Sequence, residues 1–153
     1  MERVELIEKI ATWEPAAEIA EEGGQFLNVV ITPPQLKLLA KNLHEDESTN
    51  FDFMFCLTCV DYAEHLMMVY HLRSMNHKHE MVLKVRIEDK ENPAVDTLCD
   101  IWRTAEFLER EVFDLFGVKF NNHPDLRRIL LDDDWQGYPL RKDYVDPVNM
   151  ISY

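Results

Sequence analysis

Apolar positions early in the chain recur at helical spacing in two places. Val4, Ile7 and Ala11 fall on one side of a helix predicted from Glu2 to about Ala11, with Glu2, Glu5 and Glu8 mostly elsewhere. Gly23-Gly24 then breaks the chain ahead of a β-prone run, Gln25–Ile31, in which Leu27, Val29 and Ile31 share a face. The next four residues, Thr32-Pro33-Pro34-Gln35, form a helix start: threonine can cap, proline suits the first turn, and glutamine completes a capping box. Leu36, Leu39, Ala40 and Leu43 follow at helical spacing.

The pattern then changes from a period near 3.6 to a period of two. Phe51, Phe53, Phe55, Leu57 and Cys59 alternate with polar or smaller residues, as do Leu66, Met68, Tyr70 and Leu72, and then Met81, Leu83, Val85 and Ile87. Consecutive alternating runs joined by polar turns predict antiparallel hairpins with one buried face, which helices cover. Asp96–Trp102 suggests a short helix. A further helix is predicted from a Thr104 cap, with Phe107, Leu108, Val112, Leu115 and Phe116 on one stripe and Gly117 as its stop. On that assignment Glu109, Arg110 and Asp114 project away from the body. The predicted fold is therefore α+β, an antiparallel sheet covered by helices over residues 1–120, with an extended C-terminal tail over 121–153.

The tail has no sustained periodicity, and Pro124, Pro139 and Pro147 interrupt it. It nevertheless carries Leu126, Ile129, Leu130, Leu131, Trp135, Tyr138, Leu140 and Tyr144, too much apolar surface for a solvated linker. Such a segment is stable only against a surface, either its own domain or another chain.

Composition narrows the function classes. The chain has 153 residues, one domain's worth, and 46% of them are hydrophobic, enough for a real core. Its 16 Lys and Arg stand against 29 Asp and Glu, a net charge of -13 that disfavours both non-specific nucleic-acid binding and anionic lipid surfaces. The start, MERVELIEKIATWEP, places charges where a signal peptide carries its apolar segment, which argues against export. Three cysteines give no disulfide framework and too few thiolates for the usual iron–sulfur ligation.

Candidate chemistry is sparse. Cys56 and Cys59 match C-x-x-C, but three positions apart on a strand they point to opposite faces. His65, His71, His77 and His79 lack the spacing of a zinc motif, and a solvated strand face suits them better. His123, Asp125 and Asp132–Asp134 could hold a hard cation for metal-assisted hydrolysis, although consecutive aspartates ordinarily mark exposed turns. Phosphate-cradling and nucleophile-elbow motifs are missing. What remains is Glu109–Tyr144, where ERE, HPDLRR and PLRKDY combine guanidinium groups, carboxylates and prolines. Arginine forms bidentate pairs with carboxylates, and prolines lower the entropy lost when an extended segment docks.

Glu109–Val118 (EREVFDLFGV), Phe120, His123–Leu130 (HPDLRRIL), Asp133-Asp134-Trp135, Gly137 and Pro139–Tyr144 (PLRKDY) together resemble the signature of the C-type subunit of NADH-quinone oxidoreductase, the 30 kDa subunit of respiratory complex I. Two positions depart from it: Asp132 stands where proline is common, and Asn122 where glycine often sits. Asparagine is the next most tolerant residue of a left-handed backbone.

The resemblance implies a peripheral-arm subunit of a proton-pumping NADH:quinone oxidoreductase, without cofactor, catalytic or metal-binding residues of its own. NADH, quinone, FMN and iron–sulfur clusters would belong to other subunits. Its neighbours would be the large D-type subunit, which helps form the quinone site, and nearby iron–sulfur subunits, on the cytoplasmic side of the inner membrane. Related subunits occur in energy-converting hydrogenases and in complexes fed by other donors. On this reading Leu126, Arg127, Arg128, Ile129, Trp135, Arg141, Lys142, Asp143 and Tyr144 contact partners. Glu109, Arg110, Glu111, Asp114, Gly117, His123, Pro124 and Asp125 support the tail.

Overall fold

Each stretch of the chain forms the element its pattern favours, except where tertiary packing overrides it. The computed structural model describes residues 3–20, 25–146 and 148. The Gly23-Gly24 break lies outside them.

Helix α1 spans Arg3–Trp13 and buries Leu6 and Ile10, whereas Val4 is 64% exposed and Ala11 faces solvent. The predicted stripe was therefore one step off. Leu6 and Ile10, four apart, satisfy helical spacing as well as Val4, Ile7 and Ala11 do, and the larger pair takes the core. Strand β1 (Glu18–Ala20) is too short to show a pattern, and β2 (Leu27–Ile31) follows. Helix α2 (Pro33–Glu45) starts at the predicted cap: the Gln35 Oε1 accepts the Thr32 N–H at 2.6 Å and its hydroxyl at 2.8 Å. Leu36, Leu39, Ala40 and Leu43 are all buried.

Strands β3 (Phe53–Asp61), β4 (Leu66–Arg73) and β5 (Glu80–Ile87) complete a five-stranded sheet ordered β1-β2-β5-β4-β3. It is mainly antiparallel, but β2 and β5 run parallel. Leu66, Met68, Tyr70 and Leu72 on β4, with Met81, Leu83, Val85 and Ile87 on β5, form the predicted buried face. In β3 the predicted face is wrong at its start. A register shift between Met54 and Cys56 reverses the alternation, so Met54, Leu57 and Cys59 are buried while Phe53 and Phe55 are each 40% exposed. One extra residue flips the side chains ahead of it within the strand, while Phe51, before β3, is buried as predicted.

Asp96–Trp102 is not a helix. Ala94–Asp96 forms β6, which pairs in parallel with β7 (Lys119–Asn121), and a single turn closes where the Ile101 and Trp102 N–H groups reach the Leu98 carbonyl. Val95, Leu98 and Trp102 imitate helical spacing while packing from a strand and a turn. Helix α3 (Ala105–Phe116) ends at Gly117, whose φ of 77° is the left-handed stop. Thr104 does not cap it; its hydroxyl donates to the Met54 carbonyl at 2.8 Å and ties the helix to β3.

Candidate functional site

Helix α3 is unusual in what it buries. Ala105, Glu109, Val112 and Phe116 form one stripe at steps of four, three and four, and Arg110 and Asp114 lie beside it, one turn apart. Glu109 and Asp114 are fully buried and Arg110 is 6% exposed, whereas Phe107 is 57% exposed. The expectation that these three charges project away is overturned. A buried charge survives only with partners, and each has them.

Glu109 receives the turn after β6. The Leu98 N–H reaches its Oε1 at 2.7 Å, and the Thr97 hydroxyl reaches Oε2 at 2.5 Å. The Cys99 thiol lies 3.3 Å from Oε2 and the His123 Nε2 lies 3.8 Å from it. Among the described residues no cation of fixed charge reaches this carboxyl; burial dominates and pushes its pKa above the usual carboxylate value, with the hydrogen bonds opposing. Burial also drives the Cys99 thiol up to about 12, keeping it protonated and inert.

Asp114 is held differently. Its Oδ2 accepts the N–H groups of Ile129, Leu130 and Leu131 at 3.1, 2.7 and 3.0 Å, and its Oδ1 accepts the Arg128 guanidinium at 2.8 Å. Burial alone would raise its pKa, but Arg128 and the three N–H groups outweigh it and hold the carboxyl below its usual range. Arg128 also donates to the carbonyls of Asp114, Trp135 and Gly137, and its side chain is only 11% exposed. Arg110 donates to the carbonyls of Arg127 and Arg128. Helix α3 thus supplies an acceptor and a donor, one turn apart, to the backbone of residues 127–131.

Beyond this clamp the segment stays on the body. Tyr138 packs on Gly117 so closely that a Cβ there would sit 2.5 Å from its ring, and the Leu140 N–H reaches the Leu115 carbonyl at 3.0 Å. The Lys142 N–H donates to Asp61 at 2.9 Å. Burial opposes ionisation of Asp61, yet Lys90 and the N–H groups of Lys142 and Ala63 bring its pKa to about 2. Arg141 pairs with Asp143, and Arg127 with Asp125.

Among the residues expected to face partners, Leu126 packs against the core and Arg128 is enclosed. Trp135 and Tyr144 are half-buried, Arg127, Ile129, Lys142 and Asp143 are exposed, and Arg141 is half-buried with its guanidinium on Asp143. Leu130 and Leu140, absent from the expected contact set, are 64% and 54% exposed. Of the expected supporting residues, Glu111, Pro124 and Asp125 are exposed. His123 donates from Nε2 to the Glu106 carbonyl at 2.9 Å and accepts the Asp125 N–H on Nδ1 at 3.0 Å. Asn122 has φ 63°, the left-handed geometry a glycine would adopt.

The expected cation set does not assemble, since Asp132, Asp133 and Asp134 are exposed. Among the described residues Cys99, Glu109 and His123 do converge, with ligand atoms within 4.8 Å of one another. Hydrogen bonding already uses those atoms: His123 carries its proton on the nitrogen facing Glu109, and the Glu109 oxygens hold the Thr97–Cys99 turn. The trio is a structural hub. Cys56 and Cys59 lie on opposite faces of β3, and Cys59 is driven to about 12, first by burial and then by Asp61. His77 and His79, just before β5, are not a solvated strand face; their Nε2 atoms pair with the carbonyls of Glu47 and Thr49 in the turn after α2.

Residues 29–148 match the family described as the respiratory-chain NADH dehydrogenase 30 kDa subunit. A Moorella thermoacetica protein, named as the C subunit of NADH-quinone oxidoreductase, is 42% identical over 90% of this chain and 92% of its own length. A Phocaeicola vulgatus protein, named as the C/D subunit of the same enzyme, is 42% identical over 76% of this chain and 24% of its own. The chain therefore spans only about a quarter of that relative, and 43% of another. Among solved structures, a chain of an archaeal respiratory membrane complex, the membrane-bound sulfane sulfur reductase, superposes with a TM-score of 0.76 at 29% identity, covering 95% of this chain and 86% of its own. Among the described residues no helix is long and apolar enough to cross a membrane.

Proposed function

We propose a scaffolding role for this chain, which belongs to the respiratory-chain NADH dehydrogenase 30 kDa subunit family. In this reading it is a peripheral-arm subunit of a proton-pumping NADH:quinone oxidoreductase, held against the cytoplasmic side of the inner membrane through its partners. It braces the large D-type subunit while electrons pass from NADH to quinone, and neighbouring iron–sulfur subunits carry them.

The observation that carries the reading is the clamp on α3. Asp114, Arg110 and Arg128 fix the backbone of residues 127–131 within the chain, which leaves Ile129, Leu130, Leu140 and Val145 facing outward. A segment already ordered loses less entropy on docking, so exposed leucines on it make an efficient contact. Arg127 and Lys142 rim that apolar strip, while Arg128 and Asp114 position it. The Phocaeicola vulgatus relative joins C and D under one name, which supports the D-type subunit as the neighbour.

A tagged chain recovered from native membranes tests this. The expected result is co-purification with subunits that oxidise NADH and reduce quinone, and loss of most of that recovery in a Leu130→Glu/Leu140→Glu double variant. Recovery of the chain alone would overturn the reading. The likeness to the archaeal sulfane sulfur reductase favours a second reading, a related membrane complex with another electron donor or acceptor. Recovery with a complex that does not oxidise NADH would select it.

A further inference from the structure

The helices pack on one face of the sheet, and the opposite face is organised in cross-strand rows. The register aligns Val60 with Met67 and Arg86, Thr58 with Val69 and Lys84, and Cys56 with His71 and Val82. Phe53 and Phe55 stack at 6.1 Å, and His71 meets Phe55 at 5.5 Å and Phe26 at 5.8 Å. Along β3 this face is open: Phe53, Phe55 and Val60 are 40%, 40% and 38% exposed.

Arg86 is the anomaly on this surface. It is half-buried, its Nε–H is shut away from solvent without an acceptor, and its guanidinium makes no hydrogen bond or ion pair among the described residues. The chain has 29 carboxylate side chains, yet none of the described ones serves this arginine. The β3 edge of its row is Val60, which is apolar and open to solvent. The face is partly aromatic and carries one arginine whose Nε–H has no acceptor. A net charge of -13 makes nucleic acid an unfavourable occupant. A guanidinium between apolar side chains matches a protein surface that brings a carboxylate in a water-excluded setting.

We propose that the helix-free face of the sheet around Val60, Met67 and Arg86 is a second subunit interface, distinct from the C-terminal strip. Its partner is a different polypeptide of the same assembly, one that presents an Asp or Glu to Arg86 and apolar side chains to Val60 and Phe55. This rests on the scaffold reading above.

The test uses the full chain within its assembly, with Arg86→Glu compared against wild type and Arg86→Lys, and with a photo-crosslinking amino acid in place of Val60. Charge reversal should lower recovery with the assembly by at least about tenfold, and lysine should restore part of it. The crosslink should land on an acid-bearing segment of another subunit, which keeps the proposal testable if Arg86→Glu proves unstable. Recovery of Arg86→Glu at the wild-type level, or a crosslink only to a second copy of this chain or to nothing, would overturn it. Failure of wild type to join any membrane oxidoreductase would instead overturn the scaffold reading.

Discussion

Glu109 and Asp114 are both fully buried on the same helix, five positions apart, and their protons behave in opposite ways. Glu109 faces a hydroxyl, one backbone N–H, a thiol and an imidazole, so desolvation wins and its pKa is raised. Asp114 faces three backbone N–H groups and a guanidinium, which outweigh its own desolvation. Loss of solvent contact alone therefore does not decide ionisation; the depth of burial and the formal charge and number of donors decide it together. The consequence is architectural. The Glu109 site ties one turn of the body together, and the Asp114 site fixes a segment that would otherwise have no secondary structure to order it.

The contrast can be broken from the Asp114 side with the largest effect. Asp114→Asn removes the charge from a buried pair and turns an amide toward donors, at an expected cost of about 3–5 kcal/mol. Residues 127–142 should then become sensitive to limited proteolysis. Next is Gly117→Ala, which adds a Cβ at positive φ against the Tyr138 ring, for roughly 2 kcal/mol measured by denaturant unfolding.

Glu109→Gln keeps an acceptor for Leu98 and should cost no more than about 1 kcal/mol. Its effect lies in pH dependence. A carboxyl whose folded pKa is raised contributes stability below its unfolded value that is lost as pH rises through the folded one, so melting temperature should fall across that interval. Glu109→Gln should flatten that interval. Asp114 has the opposite sign: its contribution is present above the ordinary carboxylate value and is lost as pH falls through the lowered folded pKa. Acid should therefore loosen residues 129–131 in wild type, but change them little in Asp114→Asn, as followed by NMR amide shifts.

Most of the regular structure was legible because a single physical rule produces it. The Thr32–Gln35 cap, the α2 stripe and the alternation of β4 and β5 depend on local geometry and one buried face. The β3 alternation failed because a bulge is an insertion that period-two counting cannot see. The helix expected over Asp96–Trp102 failed because Asp96 ends a strand whose parallel partner, β7, lies 25 positions away. The two buried carboxylates of α3 were missed because charge was equated with exposure. Position held the missing signal: Glu109 lies four after Ala105 and three before Val112, inside the buried stripe of its own helix. The likeness to a known family identified Glu109–Tyr144 as important, but it could not say that Arg128 turns inward while Leu130 turns outward.

The central claim is that α3 orders the C-terminal segment before any partner arrives. Native-state hydrogen exchange on the isolated chain tests it at the amides of Ile129, Leu130 and Leu131. Protection of all three, lost together in Asp114→Asn, is the predicted result. Exchange at unfolded-chain rates in the isolated wild type, with protection gained only in the assembly, would contradict it.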